Sequence, residues 1–255
     1  MTRRAVRLLV CDLDGTLLDS EGAAVPDLLT AMSALVAAGA VFTVCTGRPY
    51  AAACRLLSRA GLRPSLLASY HGAFIVDARH RCLRHLRVPA PEASRTAAVL
   101  AAHGLELTLY EGARRRPLDV VHDRRVPAAT RIIAEGGAVA IAAALADAVA
   151  GGLRAARIDR PTGTRLDVRH RLALKGEALS FLARSLHVPL AETVAIGDDV
   201  TDAAMLRCAG LAVAVGAADS PLAHLADTVV ASGDLGSFLW SLVPSAAKRG
   251  PSPET

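Results

Sequence analysis

Three short apolar runs, each stopped by a cluster of polar residues, constrain what this chain can fold into more than any other feature. The runs are Val6 to Cys11, Val41 to Cys45 and Thr193 to Ile196. The clusters that follow them are Asp12-Leu13-Asp14-Gly15-Thr16, Thr46-Gly47-Arg48 and Gly197-Asp198-Asp199-Val200-Thr201-Asp202. After the first run, Leu28, Leu29, Met32, Leu35 and Val36 follow helical spacing up to a stop at Gly39, and a second helix is expected to end near Gly61. Towards the other end, Ala178, Leu179, Leu182 and Leu186 mark a helix face, and Leu211 to Val215 and Thr228 to Val230 read as strands. Strands alternating with helices predict an α/β fold built on a doubly wound parallel sheet. Such sheets bind ligands outside the carboxyl ends of their strands, so the three clusters are expected to meet in one crevice.

The middle of the chain behaves differently. Residues 78–171 hold 17 Arg against 9 acidic residues, whereas the rest is net acidic in a chain of net charge +5. This middle has β-like stretches at Leu105 to Tyr110 and Leu118 to His122 and an Ala-rich helix near 138–150, and Arg114-Arg115-Arg116 reads as a solvated hairpin turn. The pattern predicts a discontinuous core of residues 1–77 and 172–243, an inserted α+β module of residues 78–171, and a disordered tail of residues 244–255. Basic charge alone would admit nucleic acid as a partner, but aromatics are only 3% and no stacking pattern accompanies the arginines. An anionic small molecule suits the charge better. The apolar run before Asp12 is too short for a signal peptide, and Ala138 to Val149 is too short for a membrane span and contains Asp147. Five cysteines without metal spacing fit a reducing cytoplasm.

Two carboxylates at positions 12 and 14, at the end of a buried strand, need a partner, because aspartate is costly to bury. An Asp-Gly turn is one explanation, and a hard cation held by oxygens is another. Lys175 stands out in a chain whose 29 basic residues are otherwise arginine, Lys248 excepted. At the start of a helix it offers a compact point charge rather than a planar fork.

Taken in order, Asp12-x-Asp14-Gly15-Thr16, Thr46-Gly47-Arg48, Lys175-Gly176 and Gly197-Asp198-x-x-Thr201-Asp202 resemble the four motifs of the haloacid dehalogenase superfamily of phosphohydrolases. A module inserted after Ser69-Tyr70-His71-Gly72-Ala73 resembles the α+β cap of its type II-B, Cof-like branch. The resemblance implies a Mg²⁺-dependent phosphatase acting on a small phosphorylated substrate. Asp12 would be the nucleophile and Asp14 the acid and base. The metal would be held by Asp12, the Asp14 carbonyl and Asp198, with Asp199 and Asp202 supporting them. Phosphoryl oxygens would be bound by the Leu13 amide, Thr46, Gly47, Lys175 and Thr201, and Arg48 and His71 would line the substrate pocket. Thr201, His71 and Ala217 stand where this family commonly has Asn, in a chain with no Asn at all. A phosphomutase of the same superfamily shares every motif. A signalling receiver would lack the second aspartate and the cap, and a silent binding protein would be expected to lose carboxylates.

Overall fold

The computed structural model describes residues 6–120, 122–123, 125–160 and 163–245, so most of the tail expected at 244–255 lies outside the described residues. The first stretch contains β1 (Leu8–Cys11), α1 (Leu28–Ala37), β2 (Val41–Cys45), α2 (Tyr50–Arg59), β3 (Leu66–Ser69) and β4 (Phe74–Asp77). Next come β5 (Cys82–His85), α3 (Ala90–Ala102), β6 (Glu106–Glu111), β7 (Arg114–Leu118), β8 (Arg131–Gly136), α4 (Ala138–Ala150), β9 (Arg154–Arg160) and β10 (Gly163–Arg169). The last stretch supplies α5 (Lys175–Ser185), β11 (Thr193–Gly197), α6 (Ala203–Leu206), β12 (Leu211–Val215), β13 (Thr228–Val230) and α7 (Leu235–Leu242). No helix among the described residues is long and apolar enough to cross a membrane.

The chain divides into two units, one of residues Met1–Arg81 and Leu174–Thr255 and the other of Cys82–Ala173. Within the first, seven strands run in the order β13-β12-β11-β1-β2-β3-β4. All neighbours are parallel except β3 and β4. β1 is apolar throughout because both of its faces are covered. Leu9 and Cys11 join a core with Leu28, Met32 and Leu35 of α1, Leu57 of α2 and Leu235 and Leu239 of α7. Leu8 and Val10 point the other way, into a core with Ala178, Leu179 and Leu182 of α5 and Met205 and Leu206 of α6. Each fully buried leucine contributes about 1.5–3 kcal/mol, so the β1 register is strongly fixed. The chain turns from β1 to β2 on one side, while β11 flanks β1 on the other, and the switch point lies at the carboxyl end of β1.

α7 closes one helical layer through Gly236, where a Cβ would collide with the Pro26 carbonyl oxygen and press on Asp27. Gly236→Ala must therefore push α7 off the start of α1. It is expected to cost about 1–3 kcal/mol, read as a lower urea midpoint with an unchanged slope. An unchanged midpoint would mean that the close approach is absent.

The second unit is an α+β layer. Its antiparallel sheet runs β7-β6-β8-β10-β9. Leu107, Leu109, Ile132, Ala134, Leu166 and Val168 alternate inward to meet Ala93, Ala97 and Leu100 of α3 and Ile141, Ala144 and Ala148 of α4. Two local expectations are corrected here. Arg114, Arg115 and Arg116 are not a turn but the body of β7, paired with Glu111, Tyr110 and Leu109, and the strand ends at Leu118 rather than beginning there. β7 is an edge strand, where arginines deter further pairing, so a charge-rich strand is stable there.

Candidate active site

The polar clusters at the carboxyl ends of β1 and β11 are drawn together by one lysine. Lys175 opens α5 with its side chain only 1% exposed, and its Nζ lies 2.7 Å from Asp12 Oδ1 and 2.5 Å from Asp202 Oδ1. A buried ammonium of this kind is stable only when paired. Burial works to lower its pKa, but Asp12 and Asp202 outweigh it, so the group is held protonated well above the usual range. Burial is also the largest influence on the Asp12 carboxyl and pushes it up to about 6 against the pull of Lys175. The Leu13 N–H donates to that carboxylate and offsets part of the shift.

Asp202 serves as a brace. Its Oδ1 accepts from Lys175, and its Oδ2 accepts from the N–H groups of Asp198 and Asp199 at 3.2 and 3.1 Å. Asp199 caps the short turn Val200–Asp202 by accepting from the Thr201 N–H at 2.9 Å. Both oxygens of Asp202 are thereby engaged. Thr201 itself is exposed on that turn.

Asp198 is oriented by a residue whose role the sequence reading missed. The buried Thr16 donates its hydroxyl to Asp198 Oδ1 at 2.6 Å, across 182 positions of sequence. A buried hydroxyl two residues past Asp14 is the signal that could have revealed it. Asp198 Oδ2 lies against Gly15, which has φ +76° and no Cβ to block it. Burial raises the Asp198 carboxyl, and Asp12 adds to the rise.

One carboxylate oxygen from each of Asp12, Asp198 and Asp202 lies within 4.8 Å of the others, a group that could hold a metal ion. Asp202 is engaged by Lys175 and two N–H groups, Asp12 by Lys175 and the Leu13 N–H, and Asp198 by the Thr16 hydroxyl. Two crowded carboxylates raised by burial, with only oxygen donors and an open cradle at Gly15, suit a hard divalent ion.

Asp14 is engaged differently. Arg48 donates Nε to its Oδ2 at 2.7 Å and Nη2 to its Oδ1 at 2.6 Å, a bidentate pair with both side chains 44% exposed. Arg48, expected to face substrate, is thus bound to Asp14 and links the first cluster to the second.

Thr46 is buried at the end of β2, and its Oγ1 accepts from the Arg48 N–H at 3.1 Å. The loop after β3 comes over the same strand end. His71 donates its N–H to the Thr46 carbonyl at 2.9 Å, and Tyr70 donates its N–H to the Arg48 carbonyl at 3.1 Å. A Cβ at Gly47 would stand 2.5 Å from His71 Nε2. Tyr70 and His71 both adopt left-handed backbone, at φ 52° and 55°. Such strain costs about 1–3 kcal/mol per residue and collects at functional sites. The described geometry thus gathers Asp12, Asp198, Asp202, Lys175 and Thr16 around one centre, with Asp14 and Arg48 paired beside it and His71 over Gly47.

A model of haloacid dehalogenase-like hydrolases matches residues 6–210 of the chain. Phosphatase YwpJ of Bacillus subtilis (strain 168) is 43% identical over 68 residues, which cover 27% of this chain and 24% of that protein. The chain's matches span about a quarter of the length of the curated relatives found. A haloacid dehalogenase-like hydrolase from Bacteroides thetaiotaomicron has a similar structure, with a TM-score of 0.77, 19% identity, and coverage of 92% of this chain and 98% of that one. The sugar phosphatase BT4131, described as HAD subclass IIB, is similar with a TM-score of 0.71, 20% identity, and coverage of 92% and 97%. At these identities the two structures establish a shared fold.

Proposed function

Because the chain belongs to the haloacid dehalogenase-like hydrolases, we propose that it hydrolyses a small phosphorylated metabolite, with Mg²⁺ as cofactor and Asp12 as nucleophile. The observation that carries this reading is the buried Lys175, bonded to both Asp12 and Asp202 beside Asp198. A sugar phosphate or a derivative of one is the first substrate class to test, by likeness to a sugar phosphatase. Five free cysteines, one of them exposed, support a reducing cytoplasm as the setting.

In the first half-reaction an Asp12 oxygen attacks phosphorus and the bond to the leaving alcohol breaks, while a proton on Asp14 passes to the departing oxygen. In the second, water attacks the phosphorus of the aspartyl phosphate and gives its proton to Asp14. The bond to Asp12 then breaks, releasing inorganic phosphate and restoring the carboxylate. Arg48 engages both carboxylate oxygens of Asp14. For the acid step Asp14 must leave that pair to carry its proton. Lys175, the Thr46 hydroxyl, the Leu13 and Gly47 amides and Thr201 are assigned to the phosphoryl oxygens. Asp12, Asp198 and the Asp14 carbonyl would hold Mg²⁺, which when bound neutralises charge on the transferring group.

Phosphate release from p-nitrophenyl phosphate and a panel of phosphorylated metabolites, with Mg²⁺ or with EDTA, tests the proposal. Release that requires Mg²⁺ is expected. No release from any ester, with folded protein and Mg²⁺ present, would overturn it. Gly15→Ala bears on the metal assignment, because its Cβ would displace Asp198 and strain a left-handed turn. It is expected to weaken Mg²⁺ binding about tenfold or more in calorimetric titration, and unchanged affinity would remove Asp198 from the ligand set.

A further inference from the structure

The face of the second unit's sheet that points away from α3 and α4 carries an arrangement that the proposed chemistry does not use. Strand register places Tyr110 of β6 opposite Arg131 of β8, Arg131 opposite Arg169 of β10, and Arg169 opposite Arg154 of β9. Three arginines therefore stand side by side in one row across three strands. Like charges directly opposite one another destabilise a sheet, so such a row needs a reason.

Asp167 stands on the same face beside Arg131 and Arg169. It accepts from Arg131 Nε at 2.8 Å, and Arg131 also lies over the Tyr110 ring at 5.9 Å. Asp167 Oδ2 faces Arg169 Nε at 3.3 Å, but the two are misaligned, and both atoms are buried without a hydrogen bond. The Arg169 side chain is only 6% exposed. Burial pulls its pKa down, Asp167 opposes that, and Arg131 and Arg154 add to the fall. Arg154 is exposed and has no ion-pair partner among the described residues. A buried guanidinium with an unmet donor, flanked by two more, is under-compensated by its one carboxylate. Neighbouring Arg165 does not relieve the row, because it pairs with Glu135 at 2.5 Å.

We propose that the row Arg131, Arg169 and Arg154 is a binding site for a compact oxyanion, a phosphate or a carboxylate, which enters at the exposed Arg154 and completes the charge that Asp167 leaves unbalanced. Planar guanidinium forks match the paired oxygens of either group. Asp167 holds Arg131 in place through its hydrogen bond and leaves the Arg169 Nε donor unmet.

The test uses the full-length protein in EDTA and needs no turnover, so it stands apart from the phosphatase reading. Melting temperature is followed while inorganic phosphate or malonate is added, with chloride at matched ionic strength as the control. Wild type is expected to show a saturable upward shift beyond chloride. Arg154→Met, at an exposed position, is expected to raise the half-saturating concentration about tenfold, and Arg169→Met to lose that component. If Arg169→Met does not fold, Arg154→Met decides alone. No saturable shift in wild type, or Arg154→Met titrating like wild type, overturns the proposal. The source of the anion is read separately from kcat/KM for phosphate esters with and without a second anionic group. A preference for the doubly anionic ester that Arg154→Met abolishes assigns the anion to the substrate. An Arg154-dependent melting shift without such a preference assigns a free anion.

Discussion

Asp12→Asn is expected to lower phosphate release by at least about 10⁴-fold, with the melting temperature nearly unchanged. Asparagine keeps the shape of the side chain but cannot attack phosphorus. The fold should tolerate it because burial already disfavours charge at Asp12, whose carboxyl is pushed up to about 6. Lys175 also keeps Asp202 as a partner at 2.5 Å, so no ammonium is stranded. The comparison of initial rates and thermal melts on the same preparation checks both halves. A variant retaining more than about a hundredth of wild-type activity would point to a nucleophile elsewhere.

Lys175→Met is expected to be damaging in both respects. The side chain sits between two carboxylates with only 1% exposure, and its loss leaves Asp12 and Asp202 facing one another with backbone N–H groups but no cation between them. Removing one partner from a buried ionic group costs about 3–5 kcal/mol, which urea denaturation would report. The double variant Lys175→Met/Asp202→Asn is expected to recover part of that stability, because the brace no longer carries an unpaired charge. It should not recover activity, because the cation proposed to bind the phosphoryl group is gone. Recovery of both would reduce Lys175 to a structural role. Lys175→Arg is not a conservative control, since a planar fork cannot occupy a point-charge site between two carboxylates.

The parallel sheet was legible because each core strand is a nearly unbroken apolar run that stops at a polar cluster. Leu8 to Cys11 and Thr193 to Gly197 lie side by side as that pattern requires. The association of Asp12, Lys175 and Asp198 was legible for the same reason: residues at the carboxyl ends of neighbouring parallel strands and at the start of the next helix have few other places to go. Side-chain pairing was not legible. Nothing in Thr46-Gly47-Arg48 reveals that Arg48 turns to Asp14, because a long arginine can reach several partners and the choice depends on tertiary distances. The link from Thr16 to Asp198 is hidden likewise by 182 positions of sequence. β7 was misread because propensity treats Arg114 to Arg116 as solvated turn, whereas pairing with β6 at a sheet edge overrides it. The arginine row was invisible for a related reason. Arg131, Arg154 and Arg169 are dispersed in sequence, and only cross-strand register aligns them.

The covalent step proposed for Asp12 can be tested directly. The protein is mixed with Mg²⁺ and excess p-nitrophenyl phosphate, quenched in acid during turnover, digested, and analysed by mass spectrometry. The peptide carrying Asp12 is expected to gain the mass of one HPO₃ group, to lose it on brief treatment with hydroxylamine, and to show neither change in Asp12→Asn. Sustained phosphate release without that adduct on Asp12, continuing at the wild-type rate in Asp12→Asn, would contradict the account at its centre.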